Sequence, residues 1–229
     1  MYQMPNQYHK SSCTEAYYQC CMQSTENNML MELLVQVLNE PCFNILRTKE
    51  QLGYLVFSGV RRSNCVQGLR VIVQSDKHPS YVDQRIEAFL MQVRDLISDM
   101  TSEELERHKE ALAAIRLEKP KKLSNLSARF WNEISSQQYH FNRAENEVAH
   151  LRTITKNDLL KFFDDYIKHD APHRHKLSVH VLSQVEGGAG TLPEPDPDFL
   201  SSSIDGLSKP PPYQPVSSYL LNLVVLAGR

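Results

Sequence analysis

The stretch from Cys42 to Gly59, CFNILRTKEQLGYLVFSG, joins a helical pattern to a strand pattern and constrains the fold more than any other part of the chain. Apolar residues follow Pro41 at helical spacing, and Gly53 suits the residue after a helix end, where a left-handed backbone costs glycine little. Tyr54 then opens a short apolar run that favours a β-strand. A helix-to-strand turn of this kind should bring Arg47 and Tyr54 to one cavity.

Arg47 and Tyr54 have two interpretations at this stage. An arginine side chain is a permanent planar cation that suits a peptide carbonyl or a carboxylate, and a tyrosine hydroxyl can donate a hydrogen bond to a developing oxyanion. The alternative is a solvated helix charge beside a half-buried strand aromatic, and such pairs are common in proteins. Spacing alone therefore favours the plainer alternative.

The segment before this stretch predicts a strand and a helix. A β-prone run lies at Thr14 to Gln19. Ser24 is a suitable N-cap for an amphipathic helix that runs to about Asn39, where Pro41 interrupts it. We therefore expect the first helix to end before the Cys42 stretch.

The segment after it predicts a hairpin, several helices and a last strand. Gly68 to Gln74 alternates in the manner of a strand and pairs with the strand after Gly53, through a polar loop from Arg61 to Gln67. In the last strand, Leu177, Val179 and Val181 alternate with Ser178 and His180, which places His180 on the polar face. The four expected helices begin at Pro79, at the capping box that Thr101 forms with Glu104, at Ser124, and at Thr155 with Asp158.

This order of elements indicates an α+β fold, with a small, mainly antiparallel sheet and helices packed on one face. Residues 1–183 form the predicted domain. Residues 184–229 are rich in Pro, Gly, Ser and Asp and lack periodicity, so we expect a disordered tail.

Charge and composition exclude several functional classes. A formal net charge of -2 gives no electrostatic basis for binding nucleic acid or an anionic membrane. No apolar run in the sequence approaches the roughly 20 residues that span a bilayer. The N-terminal MYQMPNQYHK resembles neither a signal nor a transit peptide and reads like the middle of a protein.

The cysteines favour a reducing compartment, and we expect a cytoplasmic location. The chain has five cysteines, an odd number, and no Cys-x-x-Cys motif. Cys42 borders the proposed cavity, and it is either a reactive thiol or an inert buried one.

Several separated blocks resemble one family. They are LRTKEQLGYLVFSG preceded by NEPCFN, then QGLRVIVQSDKHPSYVDQRIEAFL, LEKPKKLS, SQQYHFNR and APHRHKLSVHVL. In this order they resemble the C-terminal region of the pitrilysin-type zinc metallopeptidases, and above all its insulysin-like members. The resemblance runs from Met1 to Leu182, and the tail from Ser183 does not share it.

The resemblance implies a part in peptide cleavage. Members of the family have four related α+β domains in two halves that close around a peptide, with an inverted His-x-x-Glu-His zinc site in the first domain. On that pattern Tyr54 stabilises the oxyanion and Arg47 holds the substrate backbone. Phe43 either lines an apolar substrate pocket or belongs to the core. The implied partners are peptide substrates, the N-terminal half of the same peptidase and a second copy in a homodimer.

No metal site is expected in this chain. None of its nine histidines begins a His-x-x-Glu-His or His-Glu-x-x-His motif. His173, His175 and His180 suggest a metal site, but the run between them contains Arg174 and Lys176 and no carboxylate, which favours a solvated rim. Zinc would therefore belong to the complete enzyme, and the chain alone should bind none and be inactive.

Three hypotheses follow. The first is the C-terminal part of a zinc metalloendopeptidase. The second is a non-catalytic structural or peptide-binding homologue of the same fold, although such a copy has no evident need for both Arg47 and Tyr54. The third is a truncated or mispredicted gene product in which the tail replaces the natural C-terminus.

Overall fold

The computed structural model describes residues 8–193, which form a four-stranded antiparallel sheet and six α-helices. The sheet order is β2-β3-β1-β4, so β2 and β4 are the edge strands. The predicted α+β class is confirmed. The elements in chain order are β1 (Ser12–Met22), α1 (Thr25–Cys42), a π-helical segment (Phe43–Lys49), β2 (Leu55–Ser63), β3 (Val66–Ser75), α2 (Pro79–Asp99), α3 (Ser102–Leu117), α4 (Leu123–Ser135), α5 (Arg143–Leu151), α6 (Lys156–Tyr166), β4 (His175–Val181) and a 3₁₀-helix (Ala189–Thr191).

Helix α1 begins as predicted but does not end at Pro41. The side chain of Ser24 accepts a hydrogen bond from the backbone N–H of Asn27, the predicted cap. Proline lacks an N–H donor, which normally breaks a helix. Here the N–H of Phe43 bonds to the carbonyls of Asn39 and Glu40, and the chain continues as a wider π-helix. The predicted interruption is therefore wrong.

The two segments together form a 25-residue helix, Thr25–Lys49, which by length and composition alone could cross a membrane. It is not a continuous apolar run, because Glu32, Asn39 and Glu40 interrupt it, so the sequence expectation is not contradicted. The apolar face of this helix is occupied in the protein interior, where Met29, Leu33, Leu34 and Leu38 are buried. A helix buried in a protein core can have the same length and composition, so these two properties alone do not indicate a membrane span.

One face of the sheet forms the core. On this face the alternate residues of β1 and β3 are buried against α1 and α2, among them Ala16, Tyr18, Leu69, Val71 and Val73. The predicted alternation in β3 is confirmed. The residues between them point to the opposite face, which no helix of the described chain covers, so the sheet has a closed face and an open face.

The β2–β3 hairpin is tighter than the sequence suggests. Ser63 pairs with Val66, so only Asn64 and Cys65 form the turn. Their φ angles are 50° and 62°, the left-handed conformation that matches the twist of a two-residue hairpin turn. The long polar loop predicted from Arg61 to Gln67 is therefore wrong, because most of its residues belong to the strands.

The helices after β3 agree with the sequence in part. The capping boxes at Thr101 and Thr155 are both present. Helix α5 was not predicted. Helix α4 has no buried residue, and Trp131 is 64% exposed.

Strand β4 pairs with β1, and on the closed face it contacts α2 through charged and polar side chains rather than apolar ones. Lys176 contacts Asp83 and Glu87 of α2 at 2.7 and 2.8 Å, and the Ser178 hydroxyl donates to Asp83 at 2.7 Å. The polar residues of β4, and not its apolar residues, face the helices, which is the opposite of the usual pattern. His180 lies on the same face as Lys176 and Ser178, towards α2. The apolar residues Leu177, Val179 and Val181 lie on the open face.

Segment 183–193 packs against the start of the described chain. The N–H of Ala189 donates to the carbonyl of Lys10 at 2.8 Å, and Ala189 is buried. Ser183 donates its hydroxyl to the carbonyl of His9. Residues 194–229 lie outside the described chain, so the division into 1–183 and a disordered 184–229 stays a prediction.

Glu87 lies at the centre of the β4 attachment. It accepts hydrogen bonds from Tyr18 at 2.8 Å and from Arg174 at 2.6 and 2.8 Å. Burial acts to raise the pKa of Glu87, but the cations of Lys176 and Arg174 outweigh it and hold this pKa below its usual value.

We expect Glu87→Gln to lower the free energy of unfolding by about 2–4 kcal/mol at pH 7, because it leaves the half-buried Arg174 without its counter-charge and removes one of the two that Lys176 contacts. The lowered folded-state pKa makes this contribution complete above the unfolded value of about 4.3. It is lost as pH falls through the folded-state value. Urea unfolding of both proteins from pH 7 to pH 3 should show the difference shrinking with acidification, and a constant difference would contradict the assignment.

Candidate functional site

The structure brings together the three residues that the sequence singled out. The guanidinium carbon of Arg47 lies 4.7 Å from the ring centroid of Phe43 and 4.6 Å from that of Tyr54. Cation–π contacts of this length restrict a long arginine side chain without using its N–H donors. Phe43 and Arg47 come from the π-helical segment, and Tyr54 directly precedes β2.

This cluster is open to solvent. Tyr54 is 87% exposed and Phe43 is 44% exposed, so Phe43 is not a core residue. Within residues 8–193, the Tyr54 hydroxyl makes no hydrogen bond and Arg47 makes no ion pair. A phenol donor and a guanidinium are therefore both available to a ligand at one surface.

The turn between Arg47 and Tyr54 is held in an unusual backbone. The left-handed residue is Gln51, with φ 51°, and not Gly53 as the sequence suggested. Gly53 is needed for a different reason: a Cβ there would lie 1.8 Å from the carbonyl oxygen of Gln74 on β3. Ser75 of β3 also donates its hydroxyl to the carbonyl of Leu52. The loop is thus held tightly against the sheet.

A buried ion pair anchors the end of the π-helical segment. Glu50 accepts two hydrogen bonds from the Arg85 guanidinium of α2, at 2.8 and 2.9 Å, and both side chains are only 2% exposed. The bidentate bonds raise the already high pKa of Arg85. Sequence analysis missed this pair because Glu50 and Arg85 are 35 residues apart and each fits a solvated helix position.

The chain resembles known proteins along most of its length. A family model described as PQQ synthase PqqF-like, C-terminal lobe domain 4, matches residues 33–131. The chain is 55% identical over 184 residues to insulin-degrading enzyme of Homo sapiens and 50% identical over 212 residues to that of Mus musculus. These matches cover 80% and 93% of the chain. The chain is an insulysin-type domain of the pitrilysin peptidase family.

The insulysin-type domain is a small part of its relatives. It spans 18% of the human and 20% of the mouse protein. The crystal structure of pitrilysin shares the fold, with a TM-score of 0.71 at 23% identity, over 82% of this chain and 20% of that one. The family and the fold expected from the sequence are therefore confirmed.

Residues 8–193 of the insulysin-type domain do not fit a zinc ion. No group of three or more His, Cys, Asp or Glu side chains in this part of the chain is placed to hold a metal. His173 packs against the Tyr166 ring, with 5.9 Å between ring centroids, and His175 is exposed on β4.

The thiol nearest the cluster is buried. Cys42 is 1% exposed, and burial raises its pKa to about 11, although a hydrogen bond with Ser58 opposes the shift. A protonated, inaccessible thiol reacts slowly with alkylating agents. Of the two interpretations of Cys42, the structure of the insulysin-type domain supports the inert one.

We expect Glu50→Gln to destabilise the domain by about 3–5 kcal/mol, because it leaves the Arg85 charge buried without its partner. The double variant Glu50→Leu with Arg85→Met should recover much of that loss, since it removes both charges. Urea unfolding of the single and double variants measures both effects. A matched control is Glu103→Gln, at an exposed position of α3, which should change stability by less than about 0.5 kcal/mol. A single variant as stable as this control would contradict the anchoring role.

Proposed function

We propose that this chain is part of a zinc-dependent metalloendopeptidase and supplies the wall of the site that faces the metal. Tyr54 donates a hydrogen bond to the oxyanion, Arg47 holds a carbonyl of the substrate backbone, and Phe43 offers an apolar surface to a substrate side chain. The zinc ion belongs to the N-terminal half of the complete protein, and this chain holds none.

One observation carries the proposal: the Arg47 guanidinium lies against both the Phe43 and the Tyr54 ring on an exposed surface. A cation between two aromatic rings can be explained by packing alone when it is buried. Here the three side chains expose a phenol, a fork of N–H donors and a ring edge together. The phenol can donate a hydrogen bond to an oxyanion, the N–H donors can bind a peptide carbonyl, and the ring edge can contact an apolar side chain of a peptide.

The chemistry follows from the donor types. When a peptide carbonyl is attacked, charge develops on its oxygen, and a donor already aimed at that position stabilises the transition state more than the substrate. The Tyr54 hydroxyl suits this because no other group of the described chain competes for it. The N–H donors of Arg47 are directed in the plane of the guanidinium, away from the ring contacts, and remain free for a carbonyl.

The proposal includes the partners and location expected from the sequence. The substrates are peptides, the partner is the N-terminal half of the same peptidase, and the C-terminal half takes part in a homodimer. Five free thiols support a reducing compartment such as the cytoplasm. No role for nucleic acid or membrane is included.

In the complete peptidase, we expect Tyr54→Phe to lower kcat by about 10–1000-fold with little change in KM, because it removes one oxyanion donor and keeps the ring against Arg47. Steady-state assays with a quenched fluorogenic peptide measure both constants. Tyr139→Phe, at another exposed tyrosine, is the matched control and should keep full turnover. Full turnover in Tyr54→Phe would remove this hydroxyl from the mechanism.

The second expectation separates a peptidase part from a non-catalytic homologue. The 229-residue chain alone should cleave no peptide, and adding a zinc-bearing N-terminal half should produce cleavage that depends on zinc and on Tyr54. Peptide binding without cleavage in the mixture would favour the binding homologue. Cleavage by the chain alone would contradict both.

A further inference from the structure

The open face of the sheet is apolar where β2 meets β3. Strand pairing places Leu55 beside Gln74 and Phe57 beside Ile72 on this face. Leu55 and Phe57 are exposed, and Ile72 is half-buried. Tyr54 stands at the end of β2 next to them, so this surface is continuous with the candidate site.

A shallow depression of about 440 Å³ lies in this surface. The Phe57 ring leans over Gly59, where an added Cβ would come within 2.7 Å of the ring. This placement keeps the ring away from the Tyr54 end of the strand and leaves space there. The depression is lined by Tyr54, Leu55, Val56, Phe57, Arg70 and Ile72.

Arg70 is a cation without a counter-charge in this lining. It makes no ion pair in the described chain, and its Nε atom is buried without a hydrogen-bond partner. Its guanidinium carbon lies 5.3 Å from the Phe57 ring centroid. The nearby carboxylate of Glu15 is already paired with Arg61 at 2.9 Å. The Arg70 guanidinium therefore has no counter-charge within the described chain, so the site favours an anionic partner from outside.

We propose that this depression binds a substrate residue with an apolar side chain, and that Arg70 binds a carboxylate on the substrate residue two positions away, whose side chain points to the same face of an extended peptide. The inference rests on the proposed function, because it takes the oxyanion at Tyr54 as the reference point. Leu55, Phe57 and Ile72 contact the apolar side chain, and Arg70 determines the preference for the acid.

The length of the depression gives the substrate position. Strands advance by about 3.3 Å per residue, so the span from Tyr54 to Phe57 is about 10 Å. An extended peptide covers that distance in about three residues. The recognised side chain is therefore two or three residues from the scissile bond, on one side of it only.

The first test uses the complete peptidase and quenched peptides that contain Leu-Ala-Glu, Ser-Ala-Glu or Leu-Ala-Gln, placed so that the Leu or Ser is the second or third residue on either side of the scissile bond. On one side, kcat/KM should favour Leu over Ser by about 10-fold, as for a few buried methylene groups. Ile72→Thr keeps the β-branched shape and should reduce this preference by about 3-fold or more. Val179→Thr, in the same transverse row of the open face but on β4, should leave it unchanged.

Further variants test the apolar depression and the Arg70 charge separately. Gly59→Ala should push the Phe57 ring into the depression and reduce the preference for Leu without changing the lining chemistry. Arg70→Gln should abolish a preference of about 3-fold for Glu over Gln, a size typical of partly exposed ion pairs. Arg70→Lys keeps the charge and should retain part of it.

The outcomes separate this inference from the proposed function. Tyr54→Phe should lower kcat on every peptide and leave both preferences intact. If that loss occurs but both preferences persist in Ile72→Thr, Gly59→Ala and Arg70→Gln, the depression does not bind substrate. The same conclusion follows if Val179→Thr reduces the Leu preference as much as Ile72→Thr does. If Tyr54→Phe has full turnover, the proposed function itself fails.

Discussion

The buried pair of Glu50 and Arg85 is the contact on which the candidate site depends. Each charge would be costly to bury alone, so the chain must place the carboxylate at the end of the π-helical segment against α2. That requirement fixes where the helix ends and where the following turn begins. Arg47 lies one turn before this anchor and Tyr54 four residues after it, so the pair determines how both side chains meet at the surface.

In our proposal, the same sheet provides stability on one face and substrate recognition on the other. Its closed face buries Ala16, Leu69 and Val71 against the helices and provides the rigidity that a binding site needs. Its open face carries apolar side chains, together with Arg70, at the surface. Binding groups placed on strands are held more accurately than groups on loops, because the ladder bonds restrict the backbone.

Local chemistry was sufficient to predict much of the fold. The cap at Ser24, the capping boxes at Thr101 and Thr155 and the alternation in β3 are short-range patterns, and the structure contains all of them. The three cluster residues were named from a resemblance, and spacing alone did not favour them. Their joint exposure is a finding of the structure.

The errors share a physical cause, which is that long-range contacts override local preference. The helix continues through Pro41 because the π-helical segment supplies new partners for the backbone carbonyls. Strand β4 turns Val179 outward because Lys176 and Ser178 must reach acids on α2, which no pattern within the strand reveals. The depression at Arg70 also depends on strands that only the folded register aligns.

Helix α4 leaves apolar side chains exposed at the surface. Phe130, Trp131 and Leu123 are exposed on one short helix that buries none of its side chains. Apolar surface of this kind drives association in water, at about 25 cal/mol for each Å² that becomes covered. We therefore expect the chain, when it is produced on its own, to bind chaperones and to aggregate at micromolar concentrations.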